Sequence, residues 1–171
     1  HNHVFIDGRV DMYGERVVQL YDAVRLAGPH WREILARYDI TLCVLEITRT
    51  TDEKLLRALC RDPAWALVFW NADSAIFVRR VPERQEFLRS ARIWHYLPGQ
   101  FDADSLRSTD ALLLAEQEFR LKLDEDPECM PAMYSLVRVE ALLGRDAEAL
   151  AILKKALVLE PYNPLLHYEL G

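Results

Sequence analysis

The chain predicts a fold in two parts, α+β then α: a small mixed α/β sheet domain, followed by an all-α array of paired helices. Three observations carry this. Strand-like and helix-like stretches alternate as far as Arg80, only helical patterns follow Pro82, and Pro127 and Pro161 close two helical stretches 34 residues apart. The bounds read as 1–81 for the α/β domain, 82–109 for a helical linker and 110–171 for the array.

The elements follow in order. "VFID", Val4 to Asp7, is a short apolar strand that ends on the turn pair Asp7-Gly8. From Glu15, Val17, Val18, Leu20, Tyr21 and Val24 fall on one helix face, and Gly28-Pro29 ends the pattern. "HWREILARY" gives a second helix, with Trp31, Ile34, Leu35 and Tyr38 on a stripe. "ITLCVLEI", Ile40 to Ile47, is nearly all β-favouring, which predicts a central strand buried on both faces. The first strand and this one are far enough apart for a parallel, right-handed crossover. Thr50 opens T-T-D-E, a capping box with Glu53 three residues on, and the helix it starts runs to Pro63. "WALVFWN" and "SAIFVRR" then form a hairpin about Ala72-Asp73. "ERQEFLRSARIWHYL" is amphipathic at helical spacing, and "STDALLLAEQEFRLKLDEDP" predicts a long helix ending at Pro127.

Bulk properties narrow the function. The 171 residues are 51% hydrophobic and 28% charged, enough apolar material for a buried core. A formal net charge of -6 argues against a nucleic-acid binder, whose affinity comes largely from neutralising phosphates. Cys43, Cys60 and Cys129 are odd in number and have no metal-ligand spacing, so they read as small core hydrophobes. No apolar run reaches the ~18 residues of a membrane helix. The opening "HNHVFID", without an initiator Met, reads as a cut start.

The stretch after Pro127 shows a repeat. Leu136, Gly144, Ala149, Leu153, Ala156 and Pro161 fall where a 34-residue helical-hairpin repeat needs a leucine, a turn glycine, small residues, a large residue and a closing proline. Two small alanines let antiparallel helices approach closely, and Leu150, Leu153 and Leu157 fill the seam. One period earlier Ala115, Phe119 and Pro127 match, with Lys122 at a small-residue position; one period later Leu170 and Gly171 match. The segment 110–171 therefore resembles the tetratricopeptide repeat family, with one full repeat between two partial ones. Met133, Val137 and Glu140 depart from its pattern. In that family the first helix of each pair lines a concave groove. The resemblance thus implies that Tyr134, Arg138 and Leu142 face a protein or peptide partner. The plain alternative is a solvated helix face.

The chemical-looking stretch is "VFIDGRVDMYG". Asp7 and Asp11 could share acid–base work or hold a metal. A strand-end Asp also suggests the haloacid-dehalogenase-like phosphatases, but these need a second Asp two residues on, where this chain has Arg9. No Gly-rich phosphate loop, G-x-S-x-G or H-E-x-x-H occurs, and the five histidines have no ligand spacing. Asp7, Arg9, Asp11 and Tyr13 read more simply as a structural turn before a helix. No catalytic residue, cofactor or metal is expected.

The series "VFIDGRVDMYG", "WREILARYDITLCVLE" and "LLRALCRDPAWALVFWNADSAIFVRR" resembles a soluble segment of large bacterial polytopic membrane proteins. These are similar to integral-membrane glycosyltransferases of the oligosaccharyltransferase and mannosyltransferase type. The resemblance implies a domain on the extracytoplasmic side of a bacterial membrane, anchored by segments outside these residues, with the catalytic acid of the parent in loops absent here. Two functions follow as expectations. One is a non-catalytic module that binds a protein through its helical repeats. The other is an accessory domain of a lipid-linked-sugar glycosyltransferase that helps bind substrate.

Overall fold

The computed structural model describes residues 14–48, 52–100, 106 and 108–162. The chain divides into two compact units, one ending at Ile93 and the other beginning at Trp94. Among the described residues no helix is long and apolar enough to cross a membrane.

The first unit opens with α1 (Glu15–Arg25) and α2 (Trp31–Arg37). Glu15 lies in the first turn of α1 and Arg25 in the last, which suits the helix dipole. Both helices end on a left-handed residue, but not on a glycine. In α1 it is Ala27 (φ 49), followed by a 2.8 Å bond from the Gly28 N–H to the Ala23 carbonyl. In α2 it is Asp39 (φ 51), followed by a 2.9 Å bond from the Ile40 N–H to the Leu35 carbonyl. Each returns the chain by a six-to-one bond that satisfies a helix-end carbonyl. Gly28 is needed for a different reason: a Cβ there would meet the Ala23 oxygen at 3.1 Å.

β1 (Leu42–Glu46), α3 (Glu53–Arg61), β2 (Trp65–Trp70) and β3 (Ser74–Arg79) follow. β2 and β3 form the predicted hairpin. The Asn71 side-chain oxygen accepts from the Asp73 and Ser74 N–H groups at 3.0 and 2.8 Å, a turn closed by its own first residue. The register shifts between Leu67 and Phe69, a bulge that leaves Val68 unpaired. β3 also pairs with β1, so the order is β1-β3-β2 and every neighbouring pair is antiparallel. The expected mixed sheet is therefore corrected to an antiparallel one among the described residues. β1 and β2 do run in the same sense, joined through α3, but β3 lies between them.

The reading of Ile40 to Ile47 as a strand buried on both faces is also corrected. Among the described residues β1 pairs with β3 alone, and its burial alternates: Cys43 is buried while Leu42 and Val44 are exposed, Val44 by 60%. Cys43, Leu67, Phe77, Ala75 and Trp70 turn to the covered face, where α3 supplies Leu55, Leu56 and Leu59. The capping box is not formed as expected. Thr50 lies outside the described residues, and the cap position is Asp52, making Glu53 the first helical residue rather than the third. Its carboxylate accepts instead from Arg57 Nη2 at 2.7 Å. The predicted strand Val4 to Asp7 lies outside the described residues.

After β3 comes a 3₁₀ turn (Pro82–Arg84) and the short α4 (Gln85–Ser90). The amphipathic stretch 83–97 was expected to be one helix, but it stops at Ser90. The Ser90 hydroxyl donates to the Phe87 carbonyl at 2.9 Å, and Ala91 is already extended. Beyond the break, Trp94 and Leu97 are buried in the second unit.

The second unit contains α5 (Thr109–Glu125), α6 (Met130–Leu142) and α7 (Asp146–Leu159), with α6 packed against both others. Ser108 caps α5 by accepting from the Ala111 N–H at 3.1 Å. Gly144 (φ 74) ends α6, with a 2.9 Å bond from the Arg145 N–H to the Glu140 carbonyl. Met133, Leu153 and Ala156 form a buried cluster, with Leu123, Val137 and Leu157 packed around it.

Candidate functional site

Tyr134, Arg138 and Leu142 are four residues apart, so α6 carries them on one stripe. Leu142 is 54% exposed, Arg138 is exposed and Tyr134 is half-buried. The Tyr134 hydroxyl donates to Glu160 Oε2 at 2.9 Å, which ties the stripe to the end of α7. Burial, and then the hydrogen bond and charge of Glu160, push the phenol up to about 12. Only two residues of α6 are charged. Arg138 faces solvent and Glu140 is wholly buried.

Glu140 departs from the repeat pattern, and its surroundings explain it. Arg120 of α5 donates to one carboxylate oxygen, and Arg145 Nη1 reaches the other at 3.3 Å. Both arginines also hold Glu116: Arg120 Nε at 2.9 Å and Arg145 Nη1 at 3.0 Å. Two acids and two guanidinium groups thus bind α5, α6 and the start of α7 into one register. Burial opposes ionisation of Glu116, but the hydrogen bonds and charges of Arg120 and Arg145 outweigh it and hold the carboxyl below its ordinary value.

A second polar anchor was not foreseen. Buried Glu118 of α5 accepts from the backbone N–H groups of His95 and Tyr96 at 2.9 and 3.1 Å, and lies 2.7 Å from His95 Nδ1. Lys122, one turn on, lies with its ammonium 5.8 Å from the centre of the Trp94 ring. These contacts fix the irregular strand of chain after Ile93 on α5. The one signal in the sequence was the helical spacing of Glu118 and Lys122 on the apolar side of α5.

The other predicted group, Asp7, Arg9, Asp11 and Tyr13, lies outside the described residues. Among the described residues no three His, Cys, Asp or Glu side chains gather as metal ligands. Burial pushes the Cys43 and Cys60 thiols up to about 12, and the Cys129 thiol is also raised, chiefly by burial; such thiols are poor nucleophiles. The arrangement on α6 suits contact rather than bond-breaking: an exposed cation on one stripe with a tyrosine and an exposed leucine, on a braced helix. No family model, curated protein or solved structure matches this chain.

Proposed function

We propose that the chain is a non-catalytic module whose second unit is a tetratricopeptide-like array that binds a protein segment along α6. The observation that carries this is the stripe Tyr134, Arg138 and Leu142. It sets a large exposed leucine and a cation on a helix whose opposite side is locked by the Glu116–Arg120–Glu140–Arg145 network. Such bracing keeps a docking face in shape before the partner arrives, which lowers the entropic cost of binding. The turn at Gly144 and the buried Ala149 and Ala156 support the repeat reading. In this reading the module lies on the extracytoplasmic side of a bacterial membrane, carried by a larger protein, as the resemblance of the first unit implies.

The test is affinity purification of the full-length protein with Arg138→Glu and Leu142→Asp, alongside a deletion of residues 110 onward. A protein held by the wild type is expected to be lost with the deletion and reduced about tenfold or more by each substitution, the scale of losing one well-placed contact. Circular dichroism checks that helix content is kept. A partner retained equally by all three variants overturns the reading.

A further inference from the structure

We propose that a cleft in the first unit, between α2, the end of α3 and the strand ends, binds the carboxylate group of a small acid. Arg32, Leu35, Asp62, Ala64, Trp65 and Arg79 line it, around a cavity volume of about 40 Å³. A water needs ~10–15 Å³ on this measure, so the space takes about three atoms of that size, enough for a carboxylate group and not a whole metabolite. The remainder of the acid would extend past the mouth.

The donors are prepared on one side. The Asp62 side chain is 5% exposed and fully committed. One oxygen accepts from the Ala64 N–H at 2.9 Å and the other from Arg32 Nε. The Arg32 guanidinium also stacks 4.6 Å from the centre of the Trp31 ring. With Nε and one face fixed, the Nη groups are left as oriented donors, and among the described residues they have no acceptor. Arg79 lies opposite Trp65 at the end of the β2–β3 ladder, half-buried. Among the described residues its side chain has no carboxylate or carbonyl partner, although its backbone N–H donates to Thr41. Leu35 and Trp65 are buried and supply apolar walls on the inner side, while the Arg32 side chain, 63% exposed, stays in contact with water at the mouth.

The charge of the lining chooses the ligand class. Two arginines and one aspartate leave a single positive charge, which a monoanion balances. A phosphate dianion would set uncompensated charge beside buried Asp62. A planar carboxylate also matches the two-pronged edge of a guanidinium.

The experiment is a titration of the whole 171-residue chain, followed by NMR of the arginine Nε–H signals, with sodium acetate, sodium phosphate and sodium chloride at equal ionic strength. Acetate is expected to shift the Arg32 Nε–H saturably, and chloride is not. Arg79→Gln should weaken acetate about tenfold, the loss of one charge-assisted pair. Arg79→Lys, which keeps charge without the fork, should fall between, and it carries the test if Arg79→Gln disturbs the amide spectrum. A response to acetate that never saturates, a well-folded Arg79 variant that binds like the wild type, or phosphate binding as tight as acetate overturns the proposal.

Discussion

The two units hold themselves together by different means. The first rests mainly on apolar surface: Leu56, Leu59, Trp70, Ala75 and Phe77 are each no more than 1% exposed, and its buried acids, Asp52 and Asp62, lie at the two ends of α3. The second has an apolar centre at Met133, Leu136, Phe119 and Ala156, but it also buries Glu118, Lys122 and Glu140. The difference follows from geometry. Sheet register is set by the backbone ladder, so the covered face can be uniform. Helices can slide and rotate on one another, and a charged group with fixed partners selects one register at some cost in desolvation.

The comparison is broken most sharply by removing the cations and leaving the anion. Arg120→Ala with Arg145→Ala strands the wholly buried Glu140, and the expected loss is about 3–5 kcal/mol. Phe77→Ala in the sheet should cost about the same by a different route, lost contact and a cavity. Denaturant unfolding gives the size of each loss. Amide hydrogen exchange locates it, with protection falling in α5–α7 for the first and in β1–β3 for the second.

A smaller effect comes from acid. The carboxyl of Glu116 is lowered in the folded state, so its contribution is complete above the unfolded value, near 4.5, and is lost as pH falls through the folded value. Exchange protection of α5 and α6 should therefore decline below about pH 4.5. Glu116→Gln should flatten that decline.

Removing the anion instead of its cations sharpens the point. Glu140→Leu fills the slot with apolar volume and leaves Arg120 and Arg145 to Glu116. Stability should hold or rise by up to about 4 kcal/mol. A loss beyond about 1 kcal/mol would mean that the carboxylate stabilises as well as specifies.

Much of this was written locally. The hairpin about Ala72-Asp73, the helices from Glu15 and Trp31 and the turn at Gly144 each rest on residues within a few positions of one another. What sequence missed depends on distance. The run at Ile40 to Ile47 is apolar throughout, yet only one face is covered, and composition does not say which neighbour is present. The helix expected over 83–97 has the right periodicity, but Ser90 ends it and Trp94 has its place elsewhere. Glu140 looked like a departure because its cations are 5 and 20 positions away. On the candidate site, the spacing of Tyr134, Arg138 and Leu142 was plain in the sequence. The bond from Tyr134 to Glu160 and the lining of the Arg32–Arg79 cleft were not, since each joins separate elements.

The strand order β1-β3-β2 has a consequence for synthesis. A ribosome delivers β1 first, then α3 and β2, and only afterwards the strand that must sit between them. The hairpin can close as soon as it emerges, but Leu42 to Glu46 has no hydrogen-bonding neighbour from this sheet until Arg79 has cleared the exit tunnel. During that interval a nascent chain carries an unzipped, valine- and leucine-rich ribbon. This is the moment at which chaperone contact or mispairing with another chain would be most consequential.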